Sequence, residues 1–281
     1  MNGASIRRSA FRAVCAAFIA FILLCVYLWA QQARFIFFPE AEIHYTPADY
    51  GLKFEEPWLT VEGQKLHGWW IPGATEKVLL YLHGNGVNIG ANAEHAARFQ
   101  SLGMSVLLMD YRGYGRSNGA FPSEESVNAD AKAMWQHLVE DRDIEPPNIF
   151  IYGHSLGSAI AIDLALRRPN AAGLIVESAF TSIGDLARRD LLFRAVPLDL
   201  ILTQRFDSIS KVARLKLPVL FLHGSRDTLI PPSMSQRLYE AAPEPKRIVL
   251  LSGGDHHNSA SVAPRQFMQA VKGFAIGRKG R

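Results

Sequence analysis

A short strand that runs directly into a helix, with a G-x-S-x-G pentapeptide at the corner, constrains this 281-residue chain more than any other stretch. The apolar, β-branched and aromatic residues 149–152 predict a buried strand. Residues 158–166 are small or aliphatic apart from Asp163 and predict a helix. The pentapeptide GHSLG occupies residues 153–157, between the two. A serine at such a corner has a strained backbone and presents its hydroxyl, so Ser155 is the candidate nucleophile.

Backbone N–H groups near Ser155 are the candidate donors to an oxyanion. The predicted helix after Ser155 presents its positive dipole end and the free N–H of Leu156. A second donor is expected from the loop HGNG, residues 83–86, which follows another predicted strand. The backbone N–H of Asn85 is the candidate in that loop.

The same loop also supports a weaker, alternative hypothesis. Gly84, Gly86 and Gly90 follow a predicted strand, and Asp110 ends the next strand, which imitates a dinucleotide-binding fingerprint. The sixth position of that fingerprint is Ile89 rather than glycine or alanine, and the strand would be the third of the fold rather than the first. A dinucleotide-dependent oxidoreductase therefore remains the less favoured reading of this loop.

A serine hydroxyl is a weak nucleophile, so a base must accept its proton and an acid must orient that base. Asp227 follows the predicted strand 218–222 and is the candidate acid. Glu177, at the end of the preceding predicted strand, is the reserve acid.

Two adjacent histidines, His256 and His257, follow the predicted strand 247–251, and only one of them can be the base. We choose His257, because a glycine-rich loop is expected to bring its far end over the nucleophile. Ser155, Asp227 and His257 then follow three separate strands in the order nucleophile, acid, base. Three such residues at three strand ends in this order indicate a catalytic triad far more specifically than any one of them does.

Strands and helices alternate along most of the chain. Candidate apolar strands end at Leu82, Asp110, Tyr152, Val176, Leu222 and Leu251. Continuous apolar strands separated by helices predict a mostly parallel sheet covered on both faces. A hairpin predicted over residues 53–72 brings the total to about eight strands. Residues 178–216 are expected to form a short cap over the site, the alternative being an ordinary helix that covers the sheet.

An apolar segment precedes the globular part. No residue from 13 to 33 is charged, and residues 13–30 are apolar throughout, which gives roughly 27 Å of helix at ~1.5 Å per residue. We expect an uncleaved signal anchor rather than a cleaved signal peptide, because the segment is long and Tyr27 and Trp29 suit a membrane interface. The predicted organisation is an anchor over residues 1–34 and one domain over residues 35–281.

The charges beside the apolar segment predict its orientation. Three arginines precede it and a single one, Arg34, follows directly after it. This bias puts the N-terminus in the cytoplasm and the catalytic domain across the membrane, which would be the periplasmic face of a bacterial cell membrane.

Charge and cysteine content exclude several classes of protein. Without the three N-terminal arginines, 27 of the 30 basic residues remain against 26 acidic residues, so the formal net charge of +4 comes mostly from the N-terminus. No stripe of basic residues interleaved with aromatic residues appears, and we expect no nucleic-acid partner. Both cysteines, Cys15 and Cys25, lie in the apolar segment, which excludes a catalytic cysteine in the globular part.

Six short motifs give the chain a family resemblance: HGNG at 83–86, DYRGYGRS at 110–117, GHSLG at 153–157, ESAFTS at 177–182, HGSRD at 223–227 and DHHN at 255–258. With these motifs the chain resembles the α/β-hydrolase superfamily, and more narrowly the membrane-anchored Bem46 and ABHD13/ABHD17-like group. The resemblance implies an α/β-hydrolase fold with Ser155, Asp227 and His257 as its catalytic triad. It also implies an oxyanion hole at Asn85 and Leu156 and hydrolysis of acyl esters or thioesters without a metal or organic cofactor.

The favoured hypothesis is therefore a serine hydrolase that acts on an acyl ester or thioester with an apolar acyl group, and that contacts membrane lipid through its N-terminal helix. A membrane-tethered binding or scaffold protein that keeps the fold without turnover is the main alternative, because fold alone does not establish function. A serine aminopeptidase is a further alternative, although no acidic pair that would hold a substrate amino terminus is evident.

Overall fold

An eight-stranded sheet organises the protein in this computed structural model, which describes residues 3–277, with side chains from residue 7 onward. The strands are β1 (Trp58–Val61), β2 (Gln64–Ile71), β3 (Val78–Leu82), β4 (Ser105–Met109), β5 (Ile149–His154), β6 (Gly173–Glu177), β7 (Val219–Gly224) and β8 (Lys246–Leu251). Their order across the sheet is β1-β2-β4-β3-β5-β6-β7-β8. The first two strands pair antiparallel, β2 pairs antiparallel with β4, and every other pairing is parallel. The predicted eight-stranded, mostly parallel sheet is confirmed.

Helices cover both faces of the sheet. They are α1 (Gly3–Ile36), α2 (Ala93–Gln100), α3 (Glu124–Gln136), α4 (Leu156–Arg167), α5 (Ile183–Ala187), α6 (Leu198–Ile201), α7 (Ser208–Val212), α8 (Pro232–Ala241), α9 (Ser259–Val262) and α10 (Pro264–Ala275). Short 3-10 turns occupy Pro47–Tyr50, Gly90–Asn92, Pro146–Asn148 and Leu191–Phe193, and a π turn occupies His137–Asp141. The apolar residues of α3, α4, α7 and α8 form one core with the sheet, and those of α2, α9 and α10 form the core on its other face.

The strands β3 to β7 are buried along their length, apart from the half-buried His154 at the end of β5, which explains their mostly apolar sequences. The strand ends expected from the sequence agree with the structure to within two residues. Because these strands are parallel, their carboxyl ends share one edge of the sheet, and the loops after β3, β5, β7 and β8 meet there. These loops carry the residues that the sequence singled out.

Buried polar contacts fix the loop that follows β4. The guanidinium of Arg112 donates to both carboxylate oxygens of Asp130, at 2.7 Å for the shortest contact, and both side chains are buried. The carboxylate of Asp110 accepts the backbone N–H of Ile89 at 2.9 Å. This second bond ties the loop after β3 to the end of β4, and so positions the HGNG loop.

The helix α1 is the one helix among the described residues that is long and apolar enough to cross a membrane. The most apolar 18-residue window within residues 7–36 of this helix has a mean hydropathy of 2.6, and 6% of that window is buried in the protein. The helix ends at Ile36, and Phe37 directly after it is buried in the core beside Phe206. The anchor candidate is therefore joined to the globular part without a linker.

The two parts of the segment from 178 to 216 pack in different places. Its first part, with α5, the 3-10 turn Leu191–Phe193 and α6, lies over the carboxyl ends of the strands and lines a cavity there. Its last helix, α7, packs against α4 on the face of the sheet. The region that covers the site is thus about the first two thirds of the predicted insertion.

Candidate active site

The corner between β5 and α4 holds Ser155 in a strained backbone conformation. Its φ of 53° and ψ of −119° lie in a region that non-glycine residues rarely adopt. The flanking glycines allow the tight approach of neighbouring backbone. A Cβ on Gly157 would lie 2.1 Å from the carbonyl oxygen of Leu82, and one on Gly153 would lie 2.2 Å from the carbonyl oxygen of Gly157. The sequence GHSLG thereby presents the hydroxyl of Ser155 at the edge of the sheet.

A chain of two hydrogen bonds connects Ser155 to a histidine and then to an acid. The hydroxyl oxygen of Ser155 lies 2.9 Å from Nε2 of His256, and Nδ1 of His256 lies 2.8 Å from Oδ2 of Asp227. The Asp227 carboxylate can only accept, so Nδ1 of His256 carries the proton and Nε2 is left free to accept one from Ser155. Serine, imidazole and carboxylate thus lie in the order required to move a proton away from the hydroxyl.

The prediction that His257 occupies this place is wrong, because His256 does. The carboxylate of Asp255 accepts the backbone N–H of His257 at 2.9 Å and that of Asn258 at 3.0 Å. This turn reverses the chain directly after Gly254, so the inward position falls on the first histidine and His257 is exposed. The expectation of a loop that reaches the nucleophile with its far end overlooked the turn-forming role of Asp255.

Asp227 is held as a carboxylate by several donors. Burial alone would raise the pKa of Asp227, but hydrogen bonds from His223, His256 and the backbone N–H of Ile230 hold it well below its ordinary value. Nε2 of His223 lies 3.2 Å from Oδ2 of Asp227. The histidine of the HGSRD motif therefore supports the acid, a role that the sequence analysis did not assign.

Glu177, the reserve acid, has different partners. Its carboxylate accepts the hydroxyl of Tyr152 at 2.7 Å and the hydroxyl of Ser259, and it lies 3.5 Å from Nε2 of His95. These contacts hold the start of α9, directly after the histidine loop, against the sheet. Asp227 rather than Glu177 contacts His256, so the choice between the two acids agrees with the geometry.

His154 is a second residue that the sequence analysis overlooked. Its Nε2 lies 3.0 Å from the backbone carbonyl oxygen of His256. Since a carbonyl oxygen only accepts, Nε2 of His154 carries a proton and donates it. Burial lowers the pKa of His154 to about 4, so the ring is neutral at pH 7. His154, the variable residue before the serine of the G-x-S-x-G motif, thus holds the main chain of His256, whose imidazole contacts Ser155.

Both residues named for the oxyanion hole border the same cavity as Ser155. The side chain of Asn85 is fully engaged: Oδ1 accepts the N–H of Phe38 and the hydroxyl of Tyr114, and Nδ2 donates to the carbonyl of Ile36. Within residues 3–277, no protein group accepts the backbone N–H of Asn85 or that of Leu156. The main-chain N–H groups, rather than the Asn85 amide, are thus free to face a substrate.

An apolar cavity of about 670 Å³ extends from Ser155 and His256. This volume lies in the usual range for small-molecule sites, roughly 300–1,000 Å³. The walls come from three places: the last turns of α1, the covering segment with α5 and α6, and the loop after β7. Aliphatic and phenyl side chains make up most of the lining, including Phe180, Ile183, Leu186, Phe193, Leu198, Ile201 and Ile230. Such a cavity suits an apolar group attached to the reacting carbonyl.

A metal ion or a dinucleotide would require a particular set of residues, with which the residues described by the structure can be compared. Among the residues that the structure describes, no group of three or more His, Cys, Asp or Glu side chains is arranged to hold a metal ion. Asp110, which a dinucleotide site would offer to a ribose, is fully buried and accepts the N–H of Ile89. A Cβ on Gly90 would lie 2.9 Å from the side chain of Ile43, so chain already covers that glycine. Gly90 thus serves the packing of the fold rather than the close approach of a pyrophosphate.

Comparisons with known proteins agree with this architecture. The model of the family described as serine aminopeptidase, S33, matches residues 73–203 and 201–258. An uncharacterized protein of Mycobacterium tuberculosis is 36% identical over 257 residues, 89% of each chain. Protein bem46 of Schizosaccharomyces pombe is 35% identical over 164 residues, 57% of this chain and 54% of its own.

A solved structure shows the same fold. The Pyrococcus furiosus esterase Pf2001 superposes with a TM-score of 0.74 at 22% identity, over 87% of this chain and 98% of its own. The family model covers more than half of the chain, and the resemblance to the α/β hydrolases and to Bem46 is confirmed. The chain therefore belongs to the hydrolase family described as serine aminopeptidase, S33, and has the α/β-hydrolase fold.

Proposed function

We propose that this protein is a serine hydrolase that cleaves carboxylic esters or thioesters, with Ser155 as nucleophile, His256 as base and Asp227 as the acid that orients the base. The observation that carries the proposal is the hydrogen-bond chain from Ser155 through His256 to Asp227 at the inner end of an apolar cavity. The membership of a hydrolase family and the fold shared with an esterase support the same reaction class.

In the first half of the reaction, Ser155 Oγ attacks the substrate carbonyl carbon while its proton passes to Nε2 of His256. The resulting tetrahedral intermediate collapses, its bond to the leaving oxygen or sulfur breaks, and the leaving group takes the proton from Nε2. A water molecule then attacks the acyl-serine, gives one proton to His256, and releases the acid as the proton returns to Ser155. Asp227 stays ionised and holds the imidazolium throughout.

The negative charge on the carbonyl oxygen needs donors that already point to it. The backbone N–H groups of Asn85 and Leu156 take this role in the proposal, aided by the N-terminal dipole of α4. The three hydrogen bonds made by the Asn85 side chain fix the HGNG loop, so its main chain needs no reorganisation during the reaction.

The lining of the cavity favours an acyl substrate over a peptide with a free amino terminus. An aminopeptidase needs a carboxylate that is free to hold the substrate ammonium. Among the described lining residues a single acidic side chain occurs, Asp190, whose Oδ1 accepts the N–H of Leu192 at the start of a 3-10 turn, so no acidic pair faces the cavity. An apolar acyl group instead meets aliphatic and phenyl side chains along the same wall.

We place α1 across a membrane as a signal anchor over residues 1–34, with the hydrolase domain over 35–281. The length and hydropathy of residues 7–36 support the span. The arginines at 7, 8 and 12 support a cytoplasmic N-terminus, so the domain is on the far side.

A fluorophosphonate probe tests the nucleophile directly, because it reacts with activated serines. We expect wild type to be labelled and Ser155→Ala to be unlabelled, with ester hydrolysis reduced by at least about a thousandfold. Ser252→Ala is the matched control, because Ser252 is an exposed serine in the loop after β8. Equal labelling of wild type and Ser155→Ala, or no labelling of the folded wild type, would contradict the proposal and favour a binding or scaffold role.

A further inference from the structure

One stripe of α1 lines the cavity that contains Ser155. The lining residues of this helix are Leu28, Gln32, Phe35 and Ile36. Their spacing of four, three and one residues places them on a single helical face. Other apolar side chains of the same turns are exposed, including Tyr27 and Trp29. The helix that the composition identifies as a membrane span is therefore also a wall of the candidate active site.

The depth of this wall in a bilayer follows from the length of the apolar run. Residues 13–30 give roughly 27 Å of helix, and the hydrocarbon core of a bilayer is about 30 Å thick. The whole run is therefore needed to span, which leaves its last turns, with Cys25 and Leu28, at the edge of the hydrocarbon. Leu28 lines the cavity and Cys25 is buried, so protein covers α1 at this depth.

The covering segment exposes apolar side chains beside this wall. In α6, Leu198 and Ile201 line the cavity, whereas Leu200 is 85% exposed. Leu191 and Leu192, in the preceding 3-10 turn, are 72% and 80% exposed. Since α6 packs against α1, Leu200 lies next to the helix that enters the bilayer, and the turn with Leu191 and Leu192 belongs to the same covering segment. Leucines exposed to this degree are unfavourable in water and favourable in acyl chains.

We propose that the substrate is a long-chain acyl ester or thioester that resides in the membrane, and that its acyl chain enters the cavity from the bilayer beside α1. The proposal rests on the proposed function, since it assigns a substrate class and an entry route to the same site. Leu28 and Phe35 of α1 and Ile201 of α6 contact the acyl chain. The carbonyl carbon lies at Ser155, and the leaving group stays on the aqueous side.

The first test varies acyl length with the full-length protein in phospholipid vesicles. Wild type is expected to hydrolyse p-nitrophenyl palmitate with a higher kcat/KM than p-nitrophenyl butyrate. Leu28→Trp narrows the cavity at α1 and is expected to lower the ratio of kcat/KM for palmitate to kcat/KM for butyrate by about ten- to hundredfold. Leu23→Trp is the matched control, because Leu23 lies on the opposite face of α1 and is 63% exposed.

The second test concerns the route of entry. Palmitoyl ester placed in the same vesicles as the protein is expected to be hydrolysed at least about tenfold faster than the same ester in separate, protein-free vesicles. Equal rates would overturn entry from the bilayer.

The outcomes separate this inference from the proposed function. Hydrolysis of butyrate but not palmitate, or an unchanged palmitate-to-butyrate ratio in Leu28→Trp, would overturn the inference and leave the serine hydrolase intact. Hydrolysis of neither ester, with Ser155 unlabelled by a small fluorophosphonate, would overturn the proposed function itself. A circular-dichroism spectrum and a thermal unfolding midpoint like those of wild type show that Leu28→Trp keeps its fold.

Discussion

At Ser155 the backbone has a left-handed φ that costs a non-glycine residue on the order of 1–3 kcal/mol. The conformation persists because Gly157 lies against the carbonyl oxygen of Leu82 and Gly153 against Gly157, so neighbouring chain leaves the corner no room to relax. Ser158 adds a hydrogen bond from its hydroxyl to the carbonyl of Ser155. The strain is therefore fixed by packing that a single substitution in the pentapeptide would disturb.

Substitution of each of the two adjacent histidines, His256 and His257, tests which of them is the base. His256→Ala removes the group that contacts Ser155, and we expect kcat/KM for a short ester to fall by at least about a thousandfold. His257→Ala leaves the chain Ser155, His256, Asp227 intact, and we expect a change of less than about tenfold. Rates measured on both variants in parallel decide the assignment, and a larger loss in His257→Ala would reverse it.

The sequence could predict most of this site, but not which histidine serves it. Strand ends follow from apolar patterning, so the loops of Ser155, Asp227 and the histidine pair could be placed from the sequence. The direction of one side chain depends on a turn whose hydrogen bonds start at Asp255, and periodicity carries no information about it. Periodicity also gives no sign of His154, which acts through a contact with the distant histidine loop, or of His223, whose ring meets Asp227 through the turn of the HGSRD motif.

Among the elements, α1 and the covering segment are joined by one buried side chain. Gln32 is 9% exposed, and its Oε1 accepts the backbone N–H groups of Thr203 and Gln204 at 2.7 and 2.9 Å. Its Nε2 donates to the carbonyl of Trp29 at 2.7 Å and approaches that of Ile201 at 3.4 Å. Hydropathy shows that α1 is apolar, but it cannot show which face meets protein. The sequence feature that indicates the face in contact with protein is Gln32, a polar residue near the end of an uncharged run.

Gln32→Leu tests this junction. Loss of the amide leaves the N–H groups of the exposed Thr203 and the half-buried Gln204 without their protein acceptor, a loss of roughly 1–3 kcal/mol for the two hydrogen bonds together. We therefore expect hydrogen exchange at Thr203 and Gln204 to accelerate about ten- to hundredfold in the micelle-bound protein. Gln31→Leu is the matched control, because Gln31 precedes Gln32 and makes no hydrogen bond through its side chain among the described residues. Equal exchange in both variants would show that Gln32 does not hold the segment.

For the whole molecule, the polar groups behind the active site connect stability to pH. His154 and His95 lie around Glu177, on the side of the sheet edge away from the apolar cavity. Burial lowers the pKa of His95, and it lowers that of His154 to about 4 from an ordinary value of 6.5. Both rings are therefore neutral in the folded protein at pH values where the unfolded chain binds a proton on each.

The consequence is a loss of stability on acidification. Between pH 6.5 and about 4 the unfolded state binds more protons at His154 than the folded state does, so the free energy of unfolding falls as the pH falls. The contribution of neutral His154 to the free energy of unfolding is on the order of 3 kcal/mol. It is fully present above pH 6.5, and it is lost as the pH falls through the folded-state pKa of about 4. His95 acts in the same direction, whereas the carboxylate of Asp227, whose pKa is lowered, contributes only at more acid pH.

Urea unfolding of the full-length protein in micelles at pH 7, 6, 5 and 4 measures how the free energy of unfolding changes with pH. We expect His154→Gln to show a smaller loss than wild type over this range, and His44→Gln, at an exposed histidine, to show the wild-type loss. Parallel curves for wild type and His154→Gln would mean that His154 is already protonated in the folded protein, and that it holds the His256 carbonyl as a cation.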